Sequence, residues 1–221
     1  GAAGCVLAEL PRLWLGKPVP VRWQGVEHLE AALAAGRGIV FLTPHLGSFE
    51  VTGQAYAARF GVNGHPMTVL YRPPRKAWLR TLVMQSRQRP GLAMAPASLQ
   101  GVKQLLKALK AGQCVGLLPD QVPSQGMGVW ATFFGKPAYT MTLSARLALQ
   151  SGASVLLGRG ERLSGGRGYV FHVYPLGQEL SGGMAEATTQ INQAMERLIG
   201  YQPSQYLWGY ARYKAPRREM P

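Results

Sequence analysis

The chain has 221 residues, 47% of them hydrophobic, enough for one sizeable core. No stretch approaches about 18 consecutive apolar residues, which excludes a membrane-spanning segment within it. Lys and Arg outnumber Asp and Glu by 24 to 10, a formal charge of +14 that draws anionic partners such as nucleic acid, lipid headgroups or acidic proteins, while two cysteines exclude a disulfide framework and fit a reducing compartment.

In chain order, Val19–Trp23 reads as a short edge strand, because its proline would break a central one. A helix follows from Glu27 to Ala35, closed by Gly36. Gly38–Thr43 is an apolar run of buried-strand length, and Ser48–Phe60 a helix ended by Gly61. Met67–Tyr71 is a strand and Arg75–Gln88 a basic amphipathic helix. Leu92–Ala95 is a strand, then a helix runs from an N-cap at Ser98 to Lys110, and Cys114–Leu118 is a second buried strand. This alternation at βαβ spacing predicts an α/β fold, a mainly parallel central sheet with helices on both faces. Beyond Asp120 a Gly/Pro/Ser loop leads to a strand over 129–134 and a helix from Thr140 to Gln150. Strands near Ser154–Gly158 and Tyr169–Tyr174 and a helix from Met184 to Ile199 complete the pattern. The end of the chain, Tyr206 to Tyr210 into Arg212, Lys214, Arg217 and Arg218, is aromatic and basic.

Ligands of open α/β sheets gather at the C-terminal ends of strands. His45 follows the strongest strand and Asp120 the second strongest. Glu50 lies five residues after His45. Within one helix that separation turns through about 140°, so the two can meet only if His45 sits in the loop and Glu50 in the first helical turns. Pro44, Gly47 and Ser48 supply the break. An imidazole held at one nitrogen by a carboxylate has a fixed tautomer, and its other nitrogen can deprotonate a hydroxyl. No Gly-x-Ser-x-Gly elbow is present, which speaks against a serine hydrolase and for direct attack by an acceptor hydroxyl on an acyl thioester. Asp120 is the only Asp of the chain and the only acid between Glu50 and Glu161. His28, His65 and His172 have no carboxylate at useful spacing and read as ordinary histidines. No His/Cys/Asp/Glu cluster has ligand spacing, so neither a metal nor another cofactor is expected.

Five blocks occur in order: Pro44-His45-Leu46-Gly47-Ser48-Phe49-Glu50, Tyr71-Arg72-Pro73, Leu118-Pro119-Asp120-Gln121, Phe133-Phe134-Gly135, and Gln205-Tyr206-Leu207-Trp208 with Arg212, Tyr213 and Lys214. In these the chain resembles the lipid A biosynthesis (late, or secondary) acyltransferases of the glycerolipid acyltransferase superfamily, from about Val21 to Lys214. The resemblance implies a single acyltransferase domain over 1–221, expected to be a piece of a longer protein lacking an N-terminal membrane anchor. It implies transfer of a fatty acyl group from acyl carrier protein or acyl-CoA to a hydroxyl of a lipid A precursor, at the cytoplasmic face of a bacterial inner membrane. His45 maps to the catalytic base and Glu50 to its acidic partner. Arg72, Arg75, Asp120 and Gln121 map to substrate binding, with Arg72 expected at a phosphate and Asp120 near the acceptor. Transfer to another glycolipid or phospholipid, or a non-catalytic lipid-binding module, are the alternatives. Nucleic-acid binding rests on charge alone, with no motif to support it. Arg75, Lys76, Arg80 and Arg87, with Trp78, Leu79, Leu82 and Val83 between them, form either a solvated face over a core stripe or a surface for anionic lipid or an acidic carrier.

Overall fold

A computed structural model describes residues 1–74 and 76–217, except for the side chains of Ala77 and Trp78. Arg75 and Arg218 therefore lie outside the described residues, as does the side chain of Trp78 in the basic helix. Nine strands and seven α-helices are described. The strands are β1 (Val21–Gln24), β2 (Ile39–Leu42), β3 (Met67–Tyr71), β4 (Leu92–Pro96), β5 (Cys114–Leu117), β6 (Gly128–Phe133), β7 (Lys136–Met141), β8 (Ser154–Arg162) and β9 (Tyr169–Pro175). The helices are α1 (Ala2–Leu15), α2 (Val26–Ala34), α3 (Phe49–Arg59), α4 (Ala77–Arg87), α5 (Leu99–Lys110), α6 (Leu143–Ser151) and α7 (Met184–Tyr201).

Seven strands form one sheet in the order β1-β9-β8-β2-β5-β3-β4. Every pairing is parallel except β8 with β9. The central strands are buried on both sides, which is why β2 reads Ile-Val-Phe-Leu without alternation. Its residues nevertheless divide by face. Ile39 and Phe41 pack with Leu29 and Ala32 of α2 and with Ala55 and Tyr56 of α3. Val40 and Leu42 pack with Leu105 of α5, Leu147 of α6 and Ile191 of α7. Helices cover both faces, as the alternation predicts. β1 lies at the edge, with Pro20 just outside it. Among the described residues no helix is long and apolar enough to cross a membrane.

Two elements depart from the sequence reading. The helix expected from Thr140 begins at Leu143, because Lys136–Met141 is a strand folded back on β6. The turn between them is Phe134-Gly135, both at positive φ (46° and 72°), the geometry of a two-residue hairpin. A phenylalanine is a poor signal for such a turn; here its amide donates to Glu196 Oε1 at 2.8 Å and its ring packs on Phe133 and Trp208. The second departure is α1, which Gly4 and Pro11 disguise. Tertiary contacts hold it: Val6 and Leu13 are buried, and Glu9 takes both ends of the Arg162 guanidinium at 2.8 and 2.7 Å.

Candidate active site

The chain leaves β2 towards α3 on one face of the sheet and leaves β5, its neighbour, towards β6, β7 and α6, which packs on the other face. Such a divergence opens a crevice at the C-terminal ends of the two strands. His45 stands at the first of these ends and Asp120 at the second.

The loop carrying His45 is held from three sides. Thr43 N–H donates to Leu117 O of β5 at 3.1 Å, Ser48 N–H to Gly160 O of β8 at 2.7 Å, and Gly47 N–H to Gln205 O at 3.0 Å. His45 O in turn accepts from Leu207 N–H at 3.1 Å. Gly47 sits at φ 60°, and a Cβ there would lie 2.0 Å from Gly160 O, so only glycine allows this approach. Ser48 occupies the N-cap position of α3 as expected, but its hydroxyl makes no cap bond. By contrast, the Ser98 hydroxyl caps α5 by accepting from Gly101 N–H at 3.4 Å.

Asp120 is 2% exposed and gives both carboxylate oxygens to His45. Oδ1 lies 2.6 Å from ring Nδ1, and Oδ2 accepts from the His45 backbone N–H at 2.8 Å. One carboxylate thus fixes both the loop and the ring, leaving Nε2 to face outward, where Gln121 Nε2 lies 3.1 Å away. Burial alone would raise the Asp120 pKa, but the charge of His45 and the hydrogen bonds from its ring and backbone outweigh that and hold it below the ordinary carboxylate range. The Tyr206 hydroxyl also bonds Asp120; its pKa is raised first by burial and then by that carboxylate. Buried Arg212, whose guanidinium donates to Tyr139 O at 2.9 Å and Thr140 Oγ1 at 2.6 Å, adds a positive charge near Asp120.

Glu50 is placed differently from the sequence expectation. It lies in the first turn of α3, but its carboxylate is taken by the Arg87 guanidinium of α4, including Arg87 Nε at 3.1 Å, and by Trp14 Nε1 of α1 at 3.4 Å. No described hydrogen bond joins Glu50 to His45, and the ring nitrogen it was expected to hold belongs to Asp120. Asp120, expected to touch substrate, is instead shut behind the imidazole. Arg72 is exposed at the cavity rim, with Nη2 3.3 Å from Ser124 Oγ. Gln121 lines the cavity, and Arg75 lies outside the described residues. Tyr206, Arg212 and Arg87 had been legible only as members of a block or of an amphipathic pattern, and Trp14 not at all.

His45 opens onto a cavity of about 700 Å³. Below the α3 side its wall is largely apolar, with Phe41, Met67, Val69, Leu92, Met94 and Phe171, while Glu50, Thr52, Gln54 and Arg87 line the same side. Across the strand ends it reaches Leu99 and Val102 of α5, Met127, and Leu143 of α6. Glycines keep side chains out of it: a Cβ on Gly116 of β5 would meet the side chains of Val69 and Met67 at 3.2 and 3.3 Å, and Gly53 of α3 has only Leu92 near the place of a Cβ, at 3.7 Å. Among the described residues no group of His, Cys, Asp and Glu could hold a metal ion.

The bacterial lipid A biosynthesis acyltransferase family model matches residues 8–215. The chain is 29% identical over 185 residues to a lipid A biosynthesis acyltransferase of Haemophilus influenzae, covering 83% of the chain and 56% of that protein. It is 30% identical over 210 residues to the lipid A biosynthesis lauroyltransferase of Escherichia coli, covering 90% of the chain and 65% of the relative. A phosphatidylinositol mannoside acyltransferase of Mycobacterium tuberculosis is 28% identical over 185 residues, 82% of the chain and 56% of the relative. The chain thus spans little more than half to about two thirds of these proteins. The match over nearly its whole length places it in the bacterial lipid A biosynthesis acyltransferase family.

Proposed function

We propose that the chain carries the catalytic centre of an O-acyltransferase that moves a fatty acyl group from an acyl thioester to a hydroxyl of a lipid A precursor or a related glycolipid. The observation that carries this reading is the Asp120-held imidazole, whose free nitrogen faces a largely apolar cavity. Asp120 keeps the proton on Nδ1, so Nε2 is the base. The acceptor hydroxyl displaces Gln121 from Nε2 and gives up its proton there as its oxygen bonds to the thioester carbonyl carbon. The C–S bond then breaks, and the departing sulfur takes that proton back from His45. No described hydroxyl or thiol is hydrogen-bonded to His45, which favours direct attack over a covalent enzyme intermediate. The apolar wall under α3 suits the acyl chain. Arg72, exposed at the rim, suits a phosphate of the acceptor.

The place of action in this reading is the cytoplasmic face of a bacterial inner membrane. Support comes from α1 and α4, neighbours that expose Leu7, Leu15, Leu82 and Met84 beside Arg12 and Arg80, an apolar and basic surface of the kind that lies on anionic lipid. The deciding experiment is transfer from radiolabelled acyl carrier protein or acyl-CoA to a lipid A precursor in detergent, wild type beside His45→Ala. General-base help is worth about 10²–10⁴-fold, so a folded His45→Ala protein should be nearly inactive. Full activity in that variant would overturn the mechanism.

A further inference from the structure

The outward face of α5 follows one rule. Beyond Leu99, which is 81% exposed and lines the cavity, every exposed side chain of the helix is glutamine or lysine. Lys103, Lys107 and Lys110 stand four and three residues apart, so they form one stripe. At 1.5 Å rise per residue they lie roughly 6, 12 and 17 Å along the helix from Leu99. The adjoining α6 packs beside α5, exposes Arg146 and, like α5, contains no Asp or Glu. No salt bridge of the described residues engages any of these four cations. The charge is therefore unspent, and both helices begin at the cavity wall.

We infer that the α5–α6 face is the docking surface for an acidic protein that delivers the acyl thioester, its thioester arm passing Leu99 to reach His45. This rests on the acyl-transfer reading for the identity of the cargo, though not for the docking itself. Charge complementarity names the partner. A lipid-docking face interleaves large apolar side chains with its cations, as α1 and α4 do; along α5 the residues between the lysines are glutamines or turn inward, and α6 exposes a single leucine, Leu149, beside Arg146. Arg87 of α4 reaches Glu50 on the α3 side, so the lipid-like surface and the lysine stripe belong to opposite sides of the sheet. A donor protein could then dock while the other side rests on lipid.

The test is a binding titration of purified, acylated acyl carrier protein at low and moderate salt. It compares wild type, a Lys103→Glu/Lys107→Glu/Lys110→Glu triple, the corresponding triple to Gln, and a control triple at exposed positions elsewhere, Lys17→Glu/Arg22→Glu/Arg167→Glu. Electrostatic steering of this kind is worth roughly tenfold or more. The α5 reversal should weaken binding by about that factor, the Gln triple by less, and the control triple hardly at all. In turnover the α5 reversal should raise KM for the carrier-borne donor, leaving kcat and the KM for a coenzyme A thioester unchanged. Unaltered carrier binding would overturn the proposal, as would an equal loss from the control triple. Lost sedimentation with anionic vesicles beside intact carrier binding would give the face to lipid instead. A wild type that binds carrier through α5 but transfers nothing would defeat the acyl-transfer reading alone.

Discussion

Two carboxylates compete for the role of partner to His45, and they differ most in how far away they are in sequence. Glu50 is five residues on, in a block that reads as a unit, yet its carboxylate turns to α4 and α1. Asp120 is 75 residues away and meets the ring at 2.6 Å. The parallel sheet explains the reversal. β2 and β5 are neighbours in register, so the residues just past their ends face each other across one strand spacing. A helix starting beside His45 must instead aim its first-turn side chains where its packing sends them. For Glu50 that is towards Arg87, a cation from an acid-free stretch, and the result is a clamp holding α1, α3 and α4 together.

The sharpest way to break this comparison is to neutralise each carboxylate without changing its shape. Asp120→Asn should lower the transfer rate by about 10³–10⁴-fold, since an amide can present the wrong partner to Nδ1 and cannot stabilise an imidazolium. Glu50→Gln should leave the rate of the folded protein within about tenfold, because it acts on the wall and not on the base. If the rates fell in the opposite order, the clamp would have to be read as the catalytic pair.

The effect of Glu50→Gln should fall on stability instead. Glu50→Gln leaves Arg87 facing a neutral amide in a nearly closed site, and breaking a buried pair from one side costs about 3–5 kcal/mol. Arg87 keeps 27% exposure, which points to the lower end of that range. For a chain of this size that is a fall of roughly 6–12 °C in Tm. Removing both partners, Glu50→Gln with Arg87→Met, should recover part of it, and a thermal melt of the four proteins closes the cycle.

The fold was largely legible because its signals are local: buried runs of strand length, glycines closing helices, and an N-cap at Ser98 that the structure repeats. Existence and type were read correctly for β2, β3, β5 and α5. The failures share a cause. α1 is held by Glu9 and Leu13 against intrinsic propensity, and the β6–β7 turn uses a phenylalanine where glycine or asparagine would have announced it. In the site, the residue types at the strand ends could be read, and so could His45 as the base to propose. Which carboxylate faces which nitrogen could not, because strand order decides it and one sequence does not state strand order. Tyr206 and Arg212 were hidden for the same reason: their contacts with Asp120 and β7 exist only once the C-terminal block has folded back.

A smaller effect bears on α3 as a cavity wall. Gly53 faces the apolar chamber one turn beyond Glu50, and only Leu92 is near the place of its Cβ. Gly53→Leu should fill the chamber from that side and move the preferred donor to shorter acyl chains. It should not destabilise α3, since leaving glycine in a helix gains about 0.5–1 kcal/mol. Competition between donors of graded length, read by mass spectrometry of the product, would show it. An unchanged length preference would mean the acyl chain runs elsewhere.

The smallest effect separates the His45–Asp120 pair from a second histidine and carboxylate at the same range. His172 Nε2 lies 2.7 Å from Glu161 Oε2, on the antiparallel strands β8 and β9. This ring has no cavity: it is buried, stacked on Tyr174, and near Arg159. Burial lowers its pKa, Arg159 adds to that, and the bond to Glu161 only partly opposes it. A histidine held below its ordinary value of about 6.5 favours folding when neutral. As pH falls through about 6.5 the unfolded chain takes a proton that the folded chain resists, and stability declines with a slope of at most about 1.4 kcal/mol per pH unit. The depressed carboxyl of Asp120 contributes in a lower window, its stabilisation being lost only as pH falls below about 4. Denaturant midpoints of wild type and His172→Gln between pH 7 and 5 should therefore diverge, the variant giving the flatter curve. Parallel curves would mean that His172 is protonated as readily in the folded protein as in the unfolded chain, and that its partner Glu161 outweighs its burial.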